Sequence, residues 1–192
     1  GYINKNIVSQ LQQFGCNSIG LTGVDGNAIT AHKRTFQNFP LGDGGNHPVM
    51  DYGFVGDVDA INTPLLKNLL EQNLALVFAP ITHNQQGQLL NTNADTIAQE
   101  IAKALSSVYE VQLIYSFEKS GVLLNIDDDN SVIKSITPSS YKTLKNGEKI
   151  FAGMIPKLDN AFAALKSGVK KVIIGKAEEL PELIEGIKGT AI

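Results

Sequence analysis

The chain has 192 residues, of which 43% are apolar, and a formal net charge of −3 at pH 7. A chain of this length and composition can bury a sizeable core as a globular protein. The charge balance argues against a nucleic-acid partner, and no apolar run approaches the roughly 18 residues of a membrane-spanning helix. The only cysteine, Cys16, excludes an internal disulfide and favours a buried thiol, so we expect a reducing, cytoplasmic setting.

The first segments alternate between helical and extended patterns. Residues 3–14 repeat apolar side chains at helical spacing up to Gly15, whereas residues 18–22 and 28–33 predict strands joined by a turn. Residues 35–52 are rich in glycine and proline and predict a long irregular loop. Because the glycine run of that loop lacks the lysine and the strand-to-helix setting of a phosphate-binding loop, we expect no such site there.

The middle of the chain predicts a helix, a strand, a hairpin tip and a second helix. Residues 64–72 are helical in pattern, and residues 74–80 are apolar without a charge, which is typical of a strand covered on both faces. The hairpin tip is expected at residues 85–87, and residues 94–108 carry one apolar helical stripe.

Two amides and a carboxylate, Asn91, Asn93 and Asp95, surround the start of this second helix. Asn93 or the neighbouring Thr92 can cap its first turn, and Asp95 lies where free N–H groups and the helix dipole stabilise a carboxylate. An α/β enzyme binds an anionic substrate at such a place. The same pattern is also ordinary at helix starts, so both interpretations stay open from this segment alone.

The second half continues the alternation of helices and strands. Residues 111–117 predict a strand, and residues 122–136 predict a hairpin that turns at the polar residues 127–130. Further helices are expected at residues 141–145, 155–166 and 181–187, and a last buried strand at residues 172–174. Strands separated by helices predict one α/β domain, a three-layer αβα sandwich around a mostly parallel central sheet.

Lys157, in the first turn of the helix predicted at residues 155–166, is a candidate anion-binding residue. Pro156 fits the start of that helix, and Lys157 follows it directly. The lysine opposes the positive end of the helix dipole, at a cost that an anionic ligand would offset. A solvated surface lysine explains the position equally well.

Metal and triad chemistry find no support in the sequence. The three carboxylates at residues 127–129 project in different directions, so we expect a solvated turn rather than a magnesium site. The histidines His32, His47 and His83 show no ligand spacing with one another or with Cys16, so we expect neither a zinc site nor a Ser-His-Asp triad.

Six motifs resemble the amino-acid kinase family, and within it the kinases that act on N-acetylglutamate. In chain order they are Gly-Phe-Val-Gly-Asp-Val (53–58), Ala-Pro-Ile (79–81), Gly-Gln-Leu-Leu-Asn-Thr-Asn-Ala-Asp-Thr (87–96), Ser-Gly-Val-Leu (120–123), Gly-Met-Ile-Pro-Lys (153–157) and Gly-Thr-Ala-Ile (189–192). The likeness covers the chain from end to end, and Asn-x-Asn-Ala-Asp followed by Gly-Met-x-x-Lys is its most specific part. It implies the carbamate-kinase-like fold of the family.

The resemblance implies an activity, namely ATP-dependent phosphorylation of the γ-carboxylate of N-acetyl-L-glutamate, a step of arginine biosynthesis. Mg²⁺ would be held mainly by the nucleotide, residues 1–95 would mainly bind the acyl-amino acid, and residues 96–192 would mainly bind ATP. The family also has an upstream lysine and glycine-rich loops that nothing here matches, so we expect the 192-residue chain alone to be inactive. A homodimer is expected through helix 3–14.

The resemblance also implies roles for individual residues. Lys157 would neutralise the transferring phosphoryl group, Asp95 would orient Lys157 and the upstream lysine, and the acyl-glutamate would bind Asn91 and Asn93. The nucleotide would lie along Glu118, Lys119, Ser120, Gly121, Val122, Leu123, Lys149, Ile150, Phe151 and Gly153. Where the family has Thr/Ser-Asp-Val, this chain has Phe117-Glu118-Lys119, which puts its nucleotide hydrogen bonds in question.

Two alternatives stay open. A kinase of the same family could use another acceptor, such as N-succinylglutamate, aspartate or carbamate, with the same Lys157 and Asp95. The chain could instead be a non-catalytic nucleotide-binding or interaction module. Phosphoryl transfer from ATP to a panel of acceptors distinguishes these possibilities.

Overall fold

The computed structural model describes residues 1–35, 51–147 and 150–192. This part of the chain divides into two compact units, Gly1–Ile97 and Ala98–Ile192. The glycine run of the loop predicted at residues 35–52, together with His47 and Lys149, lies outside the described residues. None of the described helices is long and apolar enough to cross a membrane.

The first unit contains two sheets. Its elements are α1 (Tyr2–Gln13), β1 (Ser18–Leu21), β2 (Ile29–Lys33), β3 (Gly56–Ile61), α2 (Thr63–Glu71), β4 (Ala75–Phe78), β5 (Ile81–His83), β6 (Leu89–Asn91) and the first turn of α3 (Ala94–Leu105). Strands β1 and β4 pair in parallel, whereas β3, β2, β5 and β6 form a four-stranded sheet in that order. In the larger sheet β2 and β5 are parallel, and the other two pairs are antiparallel.

A buried polar contact joins α1 to the smaller sheet. Asn4 is 8% exposed, and its Nδ2 donates to the carbonyl oxygen of Val77 at 2.8 Å. Gly20 makes this approach possible, because a Cβ there would lie 2.0 Å from Oδ1 of Asn4. The outer face of α1 stays open, with the large side chains of Tyr2, Ile3 and Phe14 exposed.

The prediction that residues 74–80 form a strand covered on both faces is wrong in its burial. The strand itself is present as β4, but all its residues are only half-buried. Among the described residues β4 pairs with β1 alone, so its other edge and part of its apolar surface remain open.

The second unit is built around a parallel strand pair. Its elements are the body of α3, β7 (Gln112–Phe117), α4 (Pro138–Asn146), α5 (Ile155–Lys166), β8 (Lys171–Lys176), α6 (Leu180–Glu185) and β9 (Thr190–Ala191). Strands β7 and β8 pair in parallel along their whole length, and β9 is antiparallel to β8. Fully buried side chains such as Leu158, Val172 and Ile174 form the core between this sheet and α5.

The hairpin predicted at residues 122–136 is reduced to one antiparallel bridge, between Leu123 and Val132. Side chains explain why regular strands do not form, since Ser131 Oγ accepts from the backbone N–H of Asn125 at 3.0 Å and donates to the carbonyl oxygen of Asp128 at 2.7 Å. Such local bonds compete with a strand ladder. The α/β class, with strands alternating with helices, is confirmed.

Candidate functional site

A cavity of about 590 Å³ lies in the second unit, beginning at Phe117, the last residue of β7. The carboxyl ends of parallel strands are where open α/β sheets bind ligands, and the volume is typical of a small-molecule site. Several of the residues predicted to bind nucleotide line it, namely Glu118, Lys119, Gly121, Val122, Leu123, Ile150 and Phe151.

Part of this lining was not predicted from the sequence, and two of the predicted nucleotide-binding residues, Ser120 and Gly153, do not line the cavity. Phe117, Leu124, Asn125, Ile126 and Met154 also line the cavity. Ser120 does not; it lines a smaller cavity of about 160 Å³. Gly153 does not line either cavity. Because it has no side chain, the aromatic ring of a neighbouring residue lies close to it.

That ring belongs to Phe151, which is 64% exposed although it is large and apolar. A Cβ on Gly153 would lie 2.9 Å from Cε1 and 3.4 Å from Cδ1 of the Phe151 ring. The ring therefore rests on the bare Cα of Gly153. The short 3₁₀ turn Ala152–Met154 follows, closed by the backbone N–H of Met154 donating to the carbonyl oxygen of Phe151 at 2.8 Å.

The last strand of the chain contacts the part of the cavity lining that Gly121 and Val122 form. Thr190, fully buried on β9, accepts a hydrogen bond at its Oγ1 from the backbone N–H of Val122 at 2.8 Å. A Cβ on Gly121 would lie 2.7 Å from both Oγ1 of Thr190 and Cγ1 of Val132. Only glycine fits at this position without a shift of its neighbours.

Lys119 lines the cavity and forms an ion pair with Asp129, with Nζ 2.8 Å from Oδ1. This hydrogen bond raises the pKa of Lys119 and lowers the pKa of the Asp129 carboxyl. One of the carboxylates in the predicted solvated turn at 127–129 thus has a partner, although Asp129 itself stays largely exposed.

Lys157 lies in the first turn of α5, as predicted, and Met154 is the N-cap residue of that helix. Its ammonium group is 5.6 Å from the centroid of the Tyr115 ring, and Tyr115 is 5% exposed on β7. A cation over an aromatic face is attracted to it. Lys157 is half-exposed, and its role as an anion-binding residue stays a prediction.

In the first unit, Asn93 caps α3. Its Oδ1 accepts from the backbone N–H of Thr96 at 3.1 Å. Thr92, the other candidate cap, is 2% exposed, and its hydroxyl bonds to Oγ1 of Thr82 at 2.8 Å and to the carbonyl oxygen of Gly56 at 3.1 Å. The two side chains therefore have separate tasks, since Thr92 anchors the loop and Asn93 starts the helix.

Asn91 and Asp95 lie on either side of this anchor. Asn91 is the last residue of β6, is exposed, and donates its backbone N–H to the carbonyl oxygen of Phe54 at 2.7 Å. Asp95 is half-exposed in the first turn of α3. The loop thus presents the side chains of Asn91 and Asn93 around the buried Thr92.

Arg34, the only arginine of the chain, is committed to Asp57. Its Nη2 lies 2.6 Å from Oδ1 and its Nε 3.1 Å from Oδ2 of that carboxylate. These hydrogen bonds lower the pKa of Asp57. Within residues 1–35, 51–147 and 150–192, no three His, Cys, Asp or Glu side chains are grouped so that they could hold a metal ion.

A sequence model of the amino acid kinase family matches residues 1–176. The acetylglutamate kinase of Cytophaga hutchinsonii is 50% identical over 184 residues, which cover 96% of this chain and 66% of that protein. The chain therefore spans slightly less than two thirds of the length of this curated relative.

Solved structures share the fold. The crystal structure of smu.665 from Streptococcus mutans UA159 matches with a TM-score of 0.72 and 28% identity, covering 98% of this chain and 65% of that one. A carbamate kinase from Giardia lamblia matches with a TM-score of 0.67 and 14% identity, covering 100% of this chain and 71% of that one. The carbamate-kinase-like fold expected from the sequence motifs is confirmed.

Proposed function

Because the chain belongs to the amino acid kinase family, we propose that the protein is an ATP-dependent kinase that phosphorylates the γ-carboxylate of N-acetyl-L-glutamate. This reaction would supply an acyl phosphate for arginine biosynthesis in the cytoplasm. The observation that carries the proposal is that three features of the site follow one another within one short segment, residues 151–157. Phe151 and Met154 line the cavity, Met154 is the N-cap residue of α5, and Lys157 follows within the first turn of that helix.

The cavity suits the base of ATP. Its walls are mainly apolar, and the side chains of Glu118, Lys119 and Asn125 supply polar groups for directional hydrogen bonds, with one donor of Lys119 already given to Asp129. With the base in the cavity, the phosphates extend along the start of α5, where backbone N–H groups and Lys157 favour negative charge. Lys157 then neutralises charge on the transferring phosphoryl group.

The reaction needs no general base. The γ-carboxylate of glutamate has a reference pKa of about 4.3, so it is ionised at neutral pH and attacks the phosphorus directly. The enzyme must instead bring two anions together and stabilise the charge that spreads over the transferring oxygens. Mg²⁺ would enter with the nucleotide, because nucleotide-bound Mg²⁺ needs only one or two protein carboxylates.

Residues of the first unit bind the acceptor in this proposal. Asn91 and Asn93 donate amide N–H groups to the acylated glutamate, and the Oδ1 of Asn93 stays with the helix cap. Asp95 is a positioning residue in this proposal and acts through its negative charge. Its place in the first turn of α3, where free N–H groups stabilise a carboxylate, supports this role.

A homodimer is part of the proposal. The side chains of Tyr2, Ile3 and Ile7 on α1 are exposed, and Phe14, the C-cap residue of that helix, is 82% exposed. Large exposed apolar side chains along one helix mark an interaction surface. Sedimentation of the purified protein measures the number of subunits, and a dimer that becomes monomeric in Phe14→Glu supports contact through α1. A monomeric parent protein rules the dimer out.

Phosphoryl transfer to a panel of acceptors tests the function. The protein expressed from its complete gene receives γ-labelled ATP, Mg²⁺ and one of N-acetylglutamate, N-succinylglutamate, aspartate or carbamate. We expect an acyl phosphate with N-acetylglutamate, which hydroxylamine converts into the acyl hydroxamate while the labelled phosphate is released. Transfer to another acceptor would assign the protein to a different branch of the family. ATP binding with no transfer to any acceptor would identify a non-catalytic module.

A further inference from the structure

The exposed ring of Phe151 has no function within the fold of the second unit. Ile150, its neighbour, is 5% exposed and belongs to the core, while Phe151 itself is 64% exposed beside the cavity. An exposed aromatic ring costs free energy in water, about 25 cal/mol for each Å² of apolar surface. Such a ring at the edge of a cavity is typical of a ligand contact.

The backbone on both sides of Phe151 is fixed by the fold. The buried Ile150 fixes the backbone on one side, and the 3₁₀ turn closed by Met154 fixes it on the other. Three ring atoms of Phe151 lie within 4 Å of the point where a Cβ on Gly153 would be. Gly153 has no positive φ in this structure. A glycine is therefore favoured here by the space beside the Phe151 ring and not by its backbone conformation.

The rest of the cavity defines what can lie against this ring. Val122, Leu123, Leu124 and Ile126 supply an aliphatic wall. An aromatic ring and an aliphatic wall around one cavity fit a flat, largely apolar group, and a nucleobase is such a group. Stacking of a base on an aromatic side chain is sequence-tolerant in general, but a two-ring base overlaps the phenyl ring over a larger area than a one-ring base.

We propose that Phe151 stacks on the nucleobase and gives the protein its preference for purine over pyrimidine nucleoside triphosphates, with Gly153 acting through the position of that ring. This inference rests on the proposed kinase function, because it assigns the cavity to the nucleotide. It adds a specificity-determining residue, Phe151, and a positioning residue, Gly153.

Calorimetric titration of the protein expressed from its complete gene with ATP, GTP, CTP and UTP tests the inference without measuring turnover. Phe151→Ala should weaken ATP binding by about ten- to a hundredfold and weaken CTP binding less, so that the purine preference shrinks. Phe151→Tyr should keep most of the affinity. Tyr109→Ala removes another partly exposed aromatic side chain of the same unit and should leave all four dissociation constants unchanged.

A double-mutant cycle tests the part played by Gly153. Gly153→Ala should weaken ATP binding in the parent protein and have little further effect in the Phe151→Ala background, because its Cβ acts by displacing the ring. Equal ATP affinity in Phe151→Ala and parent, or additive effects in the cycle, would overturn the inference.

The outcome also separates this inference from the kinase assignment. Loss of purine preference without any acyl-phosphate formation would leave Phe151 assigned and refute the kinase. Normal phosphoryl transfer by the parent protein, together with unchanged nucleotide binding in Phe151→Ala, would support the kinase and refute the role of Phe151. A parent protein that binds none of the four nucleotides would overturn both.

Discussion

The phenol of Tyr141 donates a hydrogen bond to Oδ1 of Asp159 at 2.7 Å and so ties α4 to α5. Lys145 reaches the same carboxylate at 3.2 Å, and the Tyr141 ring stacks on Phe162 with 5.2 Å between centroids. Lys157 lies two positions before Asp159 on the helix that these contacts hold. The position of the proposed catalytic lysine thus depends on the packing of α4.

We expect Tyr141→Phe to lower the free energy of unfolding by about 1–2 kcal/mol, because it removes one of the two side chains that donate to the Asp159 carboxylate. Burial raises the pKa of the Tyr141 phenol, and the hydrogen bond to Asp159 adds to this. A raised pKa in the folded state gives stability that is complete below the unfolded pKa of about 10 and is lost as pH rises through the folded value. Urea unfolding between pH 8 and pH 11 should therefore show a steeper alkaline loss in the parent than in Tyr141→Phe. Equal slopes would contradict this.

Lys157→Met should reduce kcat by roughly 10²–10³ while changing ATP affinity much less, since the lysine stabilises charge that develops during transfer. Steady-state kinetics and a separate ATP titration measure the two effects. Lys166→Met is the matched control, because it makes the same substitution at an exposed position at the other end of α5. Near-normal turnover in Lys157→Met would show that the site is assigned wrongly.

Asp95→Asn should behave like Lys157→Met, with a large loss of kcat and a small change in ATP affinity. The substitution keeps the shape of the side chain and removes its negative charge, on which the proposed role of Asp95 depends. Replacement of Glu100, an acid of the same helix that pairs with Lys103 at 2.9 Å, by Gln provides a control. A loss of ATP affinity as large as the loss of kcat would argue for a nucleotide-binding role instead.

Gly121→Ala should weaken both the fold and nucleotide binding. The new Cβ would lie 2.7 Å from Thr190 Oγ1 and from Val132 Cγ1, and overpacking of this kind costs about 1–3 kcal/mol. Urea midpoints and ATP titrations measure the two consequences. Adding Val132→Ala removes one of the two clashing atoms, so the double variant should regain part of the stability. No difference between Gly121→Ala and parent would mean that the cavity wall is less tightly packed than the structure shows.

Thr92→Val should destabilise the first unit by about 1–3 kcal/mol, because the valine keeps the volume and leaves the buried hydroxyl of Thr82 without this partner. Substrate binding should weaken as well, since the anchor of the loop carrying Asn91 and Asn93 is lost. Thr143→Val, at an exposed position on α4, should stay within about 0.5 kcal/mol of the parent. Similar urea midpoints for the two variants would refute the anchoring role.

Elements with local signals could be predicted closely from the sequence. The helix predicted at residues 155–166 is found as Ile155–Lys166, because a proline start, an apolar stripe and a glycine end are all written in consecutive residues. Strand β3 was missed, although Asp57 and Asp59 alternate with Val58 and Ala60 there. Its existence depends on pairing with β2, which lies far away in the sequence.

The residues of the candidate site also differ in whether a local sequence pattern reveals them. Motifs identified most of the cavity lining, because these residues lie in short recognisable segments, while the roles of Lys157 and Asp95 stay predictions. Thr190 against Gly121, and Tyr115 beneath Lys157, are contacts between separate segments. In the sequence, Thr190, Gly121 and Tyr115 show only the patterns of a core or a strand, so their contacts at the site are visible only in the three-dimensional packing.

The cap formed by Asn93 has a consequence for the polarity of recognition. Since its Oδ1 already accepts the N–H of Thr96, one acceptor position of the amide is taken, whereas its N–H donors remain for a ligand. A carbonyl or carboxylate oxygen can satisfy those donors, whereas an ammonium group would meet them donor to donor. One helix cap thereby orients N–H donors that suit a hydrogen-bond acceptor, such as the acyl oxygen of the proposed substrate.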